Sequence, residues 1–337
     1  MLVRKGLAGY AVAVLLCVAL AVPAVALPEQ AKAAHKVLPQ YFTGEVAWDH
    51  VYYLSEGIGP RVAGGSNEAL AAAYVKKEFE ALGLEVHIQP FSYVRQGVTG
   101  NSQNVVAVKP GRGPVTLIVG AHYDSVARGK GAGDNASGVG VMLEAASLLK
   151  DFPTYATIKF IAWGAEEVGL RGSRHYVEQM SEEEIASTVA YINMDMVGIG
   201  DYCYVYAGLE GETWVRDMAL AIGTRQGLDI RTTPDTSWGG FTGDWSDHVA
   251  FRLAGIPVAY FEWWNWHLDP YDMWGIETEK FGDILHTDLD TIAMVKLEKL
   301  KITGKIVTPL IYELAKTPLA NTKSQGVGKR TARYGSV

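Results

Sequence analysis

The sequence predicts an α/β chain built as a three-layer α/β/α sandwich around a mostly parallel central sheet. Residues 115–120 form a continuous apolar run, the pattern of a strand covered on both faces. Further strand-like runs alternate with helical stretches along the chain, which is how a parallel sheet acquires helices on both faces. No repeat and no Pro- or Ser-rich linker divides the 337 residues, and 48% hydrophobic with 20% charged composition supplies one large core.

In order, residues 43–58 read as a helix broken by Gly57-Ile58-Gly59-Pro60-Arg61. Residues 66–82 read as an amphipathic helix with Ser66 as N-cap and Gly83 after the last turn. Residues 115–120 are a strand, 136–149 a helix, 157–163 a second buried strand and 169–180 a helix. Residues 189–194 and 257–261 are strand-like, and 289–315 close the fold as a long helix.

Both ends lie outside this plan. Arg4 and Lys5 precede an almost uncharged apolar run from Leu7 to Val22, and Ala24-Val25-Ala26 offers a small-x-small cleavage site. Residues 1–26 are therefore expected to be a signal peptide that sends the protein out of the cell, with an uncleaved anchor at the outer face of the membrane as the alternative. Cleavage removes two positive charges and takes the net charge from −7 to −9. Such an acidic exported chain is not expected to bind nucleic acid, or to keep a stable membrane partner. Of two cysteines only Cys203 then remains, so no internal disulfide forms; within Tyr202-Cys203-Tyr204-Val205-Tyr206 it reads as a buried inert thiol. Residues 27–316 would be the folded domain, and the basic 317–337 segment a disordered tail.

The chemistry-bearing residues gather where strands end. The 115–120 strand leads into His122 and Asp124; alone, such a pair is more often a structural hydrogen bond than a metal site. Gly131-Ala132-Gly133-Asp134-Asn135-Ala136-Ser137-Gly138 brings three glycines around Asp134, for close backbone approach or for a helix cap. Glu166 and Glu167 follow the 157–163 strand; two adjacent carboxylates there ask for a positive partner, unless they form a solvated acidic loop. Asp195 sits between two methionines at the end of the 189–194 strand, and His286 precedes the last helix in a loop that capping alone would also explain. An open α/β sheet builds its crevice at the carboxyl ends of its strands. Two imidazoles and three or four carboxylates make a mixed N/O donor set suited to Zn²⁺, sufficient for two ions if one Asp bridges them.

The order of these motifs resembles the co-catalytic zinc aminopeptidases of peptidase family M28. The resemblance runs from about Gly57 to Ala315 and rests on Gly120-Ala121-His122-Tyr123-Asp124, Gly133-Asp134-Asn135-Ala136-Ser137-Gly138, Glu166-Glu167-Val168-Gly169-Leu170-Arg171-Gly172-Ser173, Asn193-Met194-Asp195-Met196, Ser246-Asp247-His248 and His286-Thr287. It implies a single zinc-exopeptidase-type domain with a mixed sheet, two Zn²⁺ (other divalent ions suit the same donors), a monomer, and peptide substrates with a free N-terminus. By likeness, Asp134 would bridge the metals, His122 and Asp195 would complete one site, and Glu167 and His286 the other. Glu166 would be the general base, Asp124 would orient His122, and the Asp134–Asn135 peptide would be cis.

Leu285 departs from the family, where many relatives carry an oxyanion-stabilising Tyr before the last histidine. Trp245 is a candidate donor in its place, with a packed aromatic as the plainer reading. Asp247, His248 and Trp263 are candidate substrate contacts; the run Glu262-Trp263-Trp264-Asn265-Trp266-His267 would wall the pocket or simply fill the core. His175 and His267 read as structural. Rival functions are a one-zinc glutaminyl cyclase of the same fold, a non-catalytic module that has lost ligands or base, and a carboxypeptidase or dipeptidase. Gly133-Asp134-Asn135 and Asn193-Met194-Asp195 weigh against the first, and the complete ligand-and-base set against the second.

Overall fold

The structure, a computed structural model, describes residues 41–232, 244–268 and 276–318. The expected signal peptide and all but the first two residues of the expected tail lie outside these. Among the described residues eight strands form one sheet: β1 (Glu85–Arg95), β2 (Val98–Lys109), β3 (Thr116–His122), β4 (Thr157–Trp163), β5 (Thr188–Met194), β6 (Tyr202–Tyr206), β7 (Ile230–Arg231) and β8 (Val258–Trp264). Their order across the sheet is β1-β2-β4-β3-β5-β8-β6-β7. The centre, β4-β3-β5-β8, is parallel, while β1, β2 and β6 pair antiparallel, so the sheet is mixed.

The helices are α1 (Glu45–Tyr52), α2 (Ser66–Ala81), α3 (Ser137–Leu149), α4 (Arg171–Glu178), α5 (Glu182–Ser187), α6 (Trp214–Arg225), α7 (His248–Leu253) and α8 (Leu297–Ala315). Alternation along the central strands feeds two cores. Leu117, Val119, Phe160 and Ile192 face the larger, which α1, α2, α3, α6 and α8 cover. Ile118, Ile161, Trp163 and Tyr191 face the smaller, where Tyr176 of α4 and Phe251 of α7 close over them.

Several boundaries correct the sequence reading. Gly65 rather than Ser66 occupies the N-cap of α2, and Ser66 makes no capping bond. α8 begins at Leu297 rather than Leu289, because residues 289–296 are tied in turns such as Thr291 N to Leu289 O. β8 runs on to Trp264, so Glu262 and Trp263 belong to a central strand and not to a wall after it. The β1–β2 hairpin, α5, α6 and β7 carried no clear periodic signal. Cys203 is buried in β6, where burial pushes its thiol up.

Candidate metal centre and active site

The parallel strands end together, and their ends carry the polar cluster. His122 is the last residue of β3, Asp195 directly follows β5, and Glu166 and Glu167 stand three and four residues past β4. Two loops complete the set. One is the tight turn before α3, in which the Asp134–Asn135 peptide is cis; the other carries His286 in a left-handed conformation (φ 56°).

Asp134 lies between the imidazoles. Its Oδ1 is 3.1 Å from His122 Nε2 and its Oδ2 is 3.1 Å from His286 Nε2. On the first side, Asp195 Oδ1 stands 3.3 Å and Glu166 Oε2 4.0 Å from His122 Nε2. On the other, Glu167 Oε2 is 2.8 Å from His286 Nε2. All five expected metal ligands and Glu166 therefore converge.

Residues behind the cluster fix its members. The carboxylate of Asp124 accepts the backbone N–H groups of Glu166 and Glu167 at 3.0 and 3.1 Å. It is 3.5 Å from His122 Nδ1, whose nearer neighbour is the Asp124 carbonyl at 3.3 Å. Asp195 Oδ2 accepts from Ser246 Oγ at 2.8 Å, at the end of a chain in which Trp163 donates to Tyr191, Tyr191 to Asn193 and Asn193 to Ser246. Arg61, wholly buried, donates to the carbonyls of Leu54, Gly59, Tyr123, Lys130 and Gly131. It thereby clamps the exit of β3 to the loop ahead of Asp134. Gly131 has φ 61° and a Cβ there would crowd Arg61 and Ser125, which accounts for one of the loop's glycines.

Ionisation throughout the cluster is displaced. Burial pulls His122 down, yet Asp195, Glu166, Asp124 and Asp134 hold it well above its ordinary value. Hydrogen bonds to Asp134 and Glu167 push His286 up to about 10. Burial acts to raise Asp134, but the two histidines hold it below the usual carboxylate range. Burial pushes Glu166 well above that range, and burial with Asp134 takes Glu167 to about 8. So much negative charge at a buried point calls for a compensating cation.

The donors fit such a cation. Among the described residues His122 Nε2 and Asp195 Oδ1 are buried without a hydrogen-bond partner although they stand 3.3 Å apart. Two ligands about 2.0–2.1 Å from a tetrahedral zinc stand roughly 3.3 Å from each other, close to the spacings seen here. His122, Glu166 and Asp195 can bring ligand atoms within 4.8 Å of one another, as can His122, Asp134 and Glu167.

The expected substrate contacts divide. Asp247 and His248 are wholly buried. Burial raises Asp247 to about 7, and its charge bears on Glu166; His248 stacks on Tyr260 with ring centroids 4.5 Å apart. Trp263 is 6% exposed, and its indole donates to Thr303 of α8 at 2.9 Å. Neither His248 nor Trp263 presents a free face to a substrate. Trp245 is half-buried, 5.5 Å ring to ring from Trp266, and donates to Glu262 at 3.3 Å. His175 stacks on Phe91 and His267 packs against Tyr202.

Two buried acids of this region were not singled out from the sequence. Glu68, in the first turn of α2, accepts from Ala165 N–H and Ser102 Oγ. Asp290 accepts from Gly133 and Asp134. Each sat in a stretch that reads as helix capping, and only the three-dimensional pairing reveals the other partner.

Comparison with known proteins bears on the family and the fold. Over 223 residues the chain is 38% identical to aminopeptidase YwaD of Bacillus subtilis, a match covering 64% of this chain and 45% of that protein. It is 29% identical over 316 residues to the alkaline phosphatase isozyme conversion protein of Escherichia coli, covering 81% and 91%. The chain thus spans less than half the length of the Bacillus relative. Among solved structures, the zinc aminopeptidase BSAP of Bacillus subtilis shares the fold with a TM-score of 0.71 at 24% identity, over 83% of this chain and 97% of that one. A glutaminyl cyclase of Porphyromonas gingivalis shares it with a TM-score of 0.65 at 20% identity, over 81% and 99%. The sequence profile of peptidase family M28 matches residues 104–311, a span that includes His122, Asp134, Glu166, Glu167, Asp195 and His286. The chain belongs to peptidase family M28.

Proposed function

We propose that the protein is an aminopeptidase dependent on two divalent cations, with zinc as the natural choice for this donor set. The observation that carries the reading is Asp134, which offers one carboxylate oxygen to each of two imidazoles, with further carboxylates on both sides. In this reading His122, Asp134 and Asp195 hold one ion and Asp134, Glu167 and His286 the other. Bound zinc would supply Lewis-acid polarisation of the scissile carbonyl and a water acidified toward neutral pH.

The rest falls to the protein. Glu166 has a side chain only 11% exposed and stands 4.0 Å from His122 Nε2, farther than Asp134 and Asp195, which leaves its carboxylate free of the metal-holding set to act as a base. It takes the proton from the attacking water as that oxygen bonds the carbonyl carbon. It then delivers the proton to the amine nitrogen as the C–N bond breaks. Asp124 holds the backbone of Glu166 in place while this happens. Glu166 and Asp195 are the acidic groups available to a substrate's free α-amine. The half-buried Trp245, held by Glu262, is the candidate for contact with the substrate side chain. The basic and apolar character of residues 1–26 supports export of the 27–316 domain.

The second reading, cyclisation of N-terminal glutamine, shares the fold. The two-sided placement of Asp134 supports hydrolysis with a pair of ions instead. The deciding experiment assays a panel of aminoacyl-nitroanilides and a glutamine-initiated peptide before chelation, after chelation and after zinc is restored, with zinc per chain counted. We expect about two zinc per chain and hydrolysis that is lost and recovered with them. One zinc per chain with glutamine cyclisation and no amide hydrolysis would replace this reading with its rival.

A further inference from the structure

We propose that Asp290 is a positioning residue that joins the loops bearing Asp134 and His286 into one metal-holding unit. The proposal rests on the metal-site reading above and extends it to a residue that is not itself a ligand in that reading. Asp290 is 2% exposed, and each of its carboxylate oxygens accepts a backbone N–H. Oδ1 takes that of Gly133 at 2.6 Å and Oδ2 that of Asp134 at 3.2 Å. Its own carbonyl accepts the N–H of Lys130 at 2.7 Å, and its N–H donates to the carbonyl of Thr287, the residue after His286, at 3.2 Å.

One residue therefore grips the Asp134 loop at Lys130, Gly133 and Asp134 and closes the turn that follows His286. The loops touch backbone to backbone at Gly129, where a Cβ would collide with the Thr287 carbonyl oxygen. The Asp134 loop is also held by Arg61, through the carbonyls of Lys130 and Gly131. Two backbone amides on the two oxygens of one buried carboxylate fix its orientation, and with it the spacing of the loops it joins. Asp134 and His286 stand 3.1 Å apart from opposite loops, and a small relative shift of the loops would spoil that spacing. Groups that orient metal ligands in this way typically contribute about 10- to 100-fold in metal affinity.

The test is Asp290→Asn, which keeps the shape and one acceptor but turns an NH₂ toward an N–H. Zinc affinity is read by competition with a chromophoric chelator, and the thermal midpoint is read on chelated protein. We expect the apparent zinc Kd to weaken by about 10- to 100-fold, and Asp290→Ala to bind no better than the Asn variant. An affinity within threefold of wild type overturns the proposal. Should the chelated midpoint fall as well, the visible absorption of the fully cobalt-loaded variant decides. A band altered in position or intensity supports displaced ligands; a band identical to wild type overturns the proposal and leaves Asp290 a purely structural residue. A wild-type chain that binds no zinc would instead remove the underlying metal-site reading, so the two failures are distinguishable.

Discussion

Asp124 accepts the backbone N–H of Glu166 through Oδ1 at 3.0 Å. The next amide, of Glu167, goes to Oδ2 of the same carboxylate at 3.1 Å, and the preceding one, of left-handed Ala165, goes to Glu68. Three successive amides are thus fixed by two buried acids, which aims both glutamates into the cluster. Asp124→Asn would turn an amide donor toward one of those N–H groups. We expect kcat/KM on a leucine nitroanilide to fall by about 10- to 100-fold, with unchanged far-ultraviolet circular dichroism. Wild-type activity in the variant would show that Asp124 does not set this turn.

Glu166→Gln separates the base from the ligands. Glu166 Oε2 is 4.0 Å from His122 Nε2, farther than Asp134 or Asp195, so removal of its charge should leave zinc content close to wild type. Turnover should fall by about 10²- to 10⁴-fold, the usual contribution of a general base. Near-normal kcat with full zinc would take the role from Glu166.

What the sequence made legible follows from how each residue is held. His122, Glu166, Glu167 and Asp195 were visible because buried strands announce their own ends; the histidine and the glutamate pair each also read as structural or solvated groups, and the gathering of all four at strand ends marked them as a site. Asp134 and His286 sit on loops, where their neighbours read equally well as caps; the family likeness, not periodicity, set them apart. β1 escaped because its residues are mostly exposed, and β2 because its exposed start gives way to a buried run without strict alternation. Glu68, Glu144 and Asp290 escaped because each serves a backbone distant in sequence, and a single acid carries no mark of a partner 97 or 157 residues away.

Glu144 illustrates this on the stability side. It projects from α3 and accepts the N–H groups of Thr43, Gly44 and Ala47 at 2.9, 3.1 and 2.9 Å. These are among the unpaired donors at the start of α1, whose own N-cap, Gly44, has no side chain to serve them. Glu144→Ala would leave buried donors unsatisfied, and we expect a loss of roughly 2–3 kcal/mol in urea unfolding. Since Glu144 shares none of these hydrogen-bond partners with the cluster, kcat of the folded variant should stay within about twofold of wild type. Unchanged stability would mean that water replaces Glu144 at this cap.

Glu262 makes a prediction about pH. It is 1% exposed in β8 and accepts from Tyr206, Tyr260 and Trp245 at 2.6, 2.5 and 3.3 Å. Burial outweighs those three donors and raises its pKa from 4.5 to about 7. The folded state therefore holds the proton more tightly than the unfolded chain. Below pH 4.5 both states carry it and the stabilisation is fully present. As pH rises toward 7 the unfolded chain loses its proton first, so stability declines across that window and levels off above it. At about 1.4 kcal/mol per pKa unit the full decline attributable to Glu262 is at most roughly 3 kcal/mol. Glu68 and Glu277 are raised to about 7 in the same way, so the wild-type slope is a composite. The difference between wild type and Glu262→Gln isolates one residue. Urea unfolding of both, in chelator at pH 5, 6, 7 and 8, should give a shallower decline for the Gln variant, which gains on wild type as pH rises. Parallel curves would show that Glu262 is ionised alike in the folded and unfolded chains, with its three donors offsetting its burial.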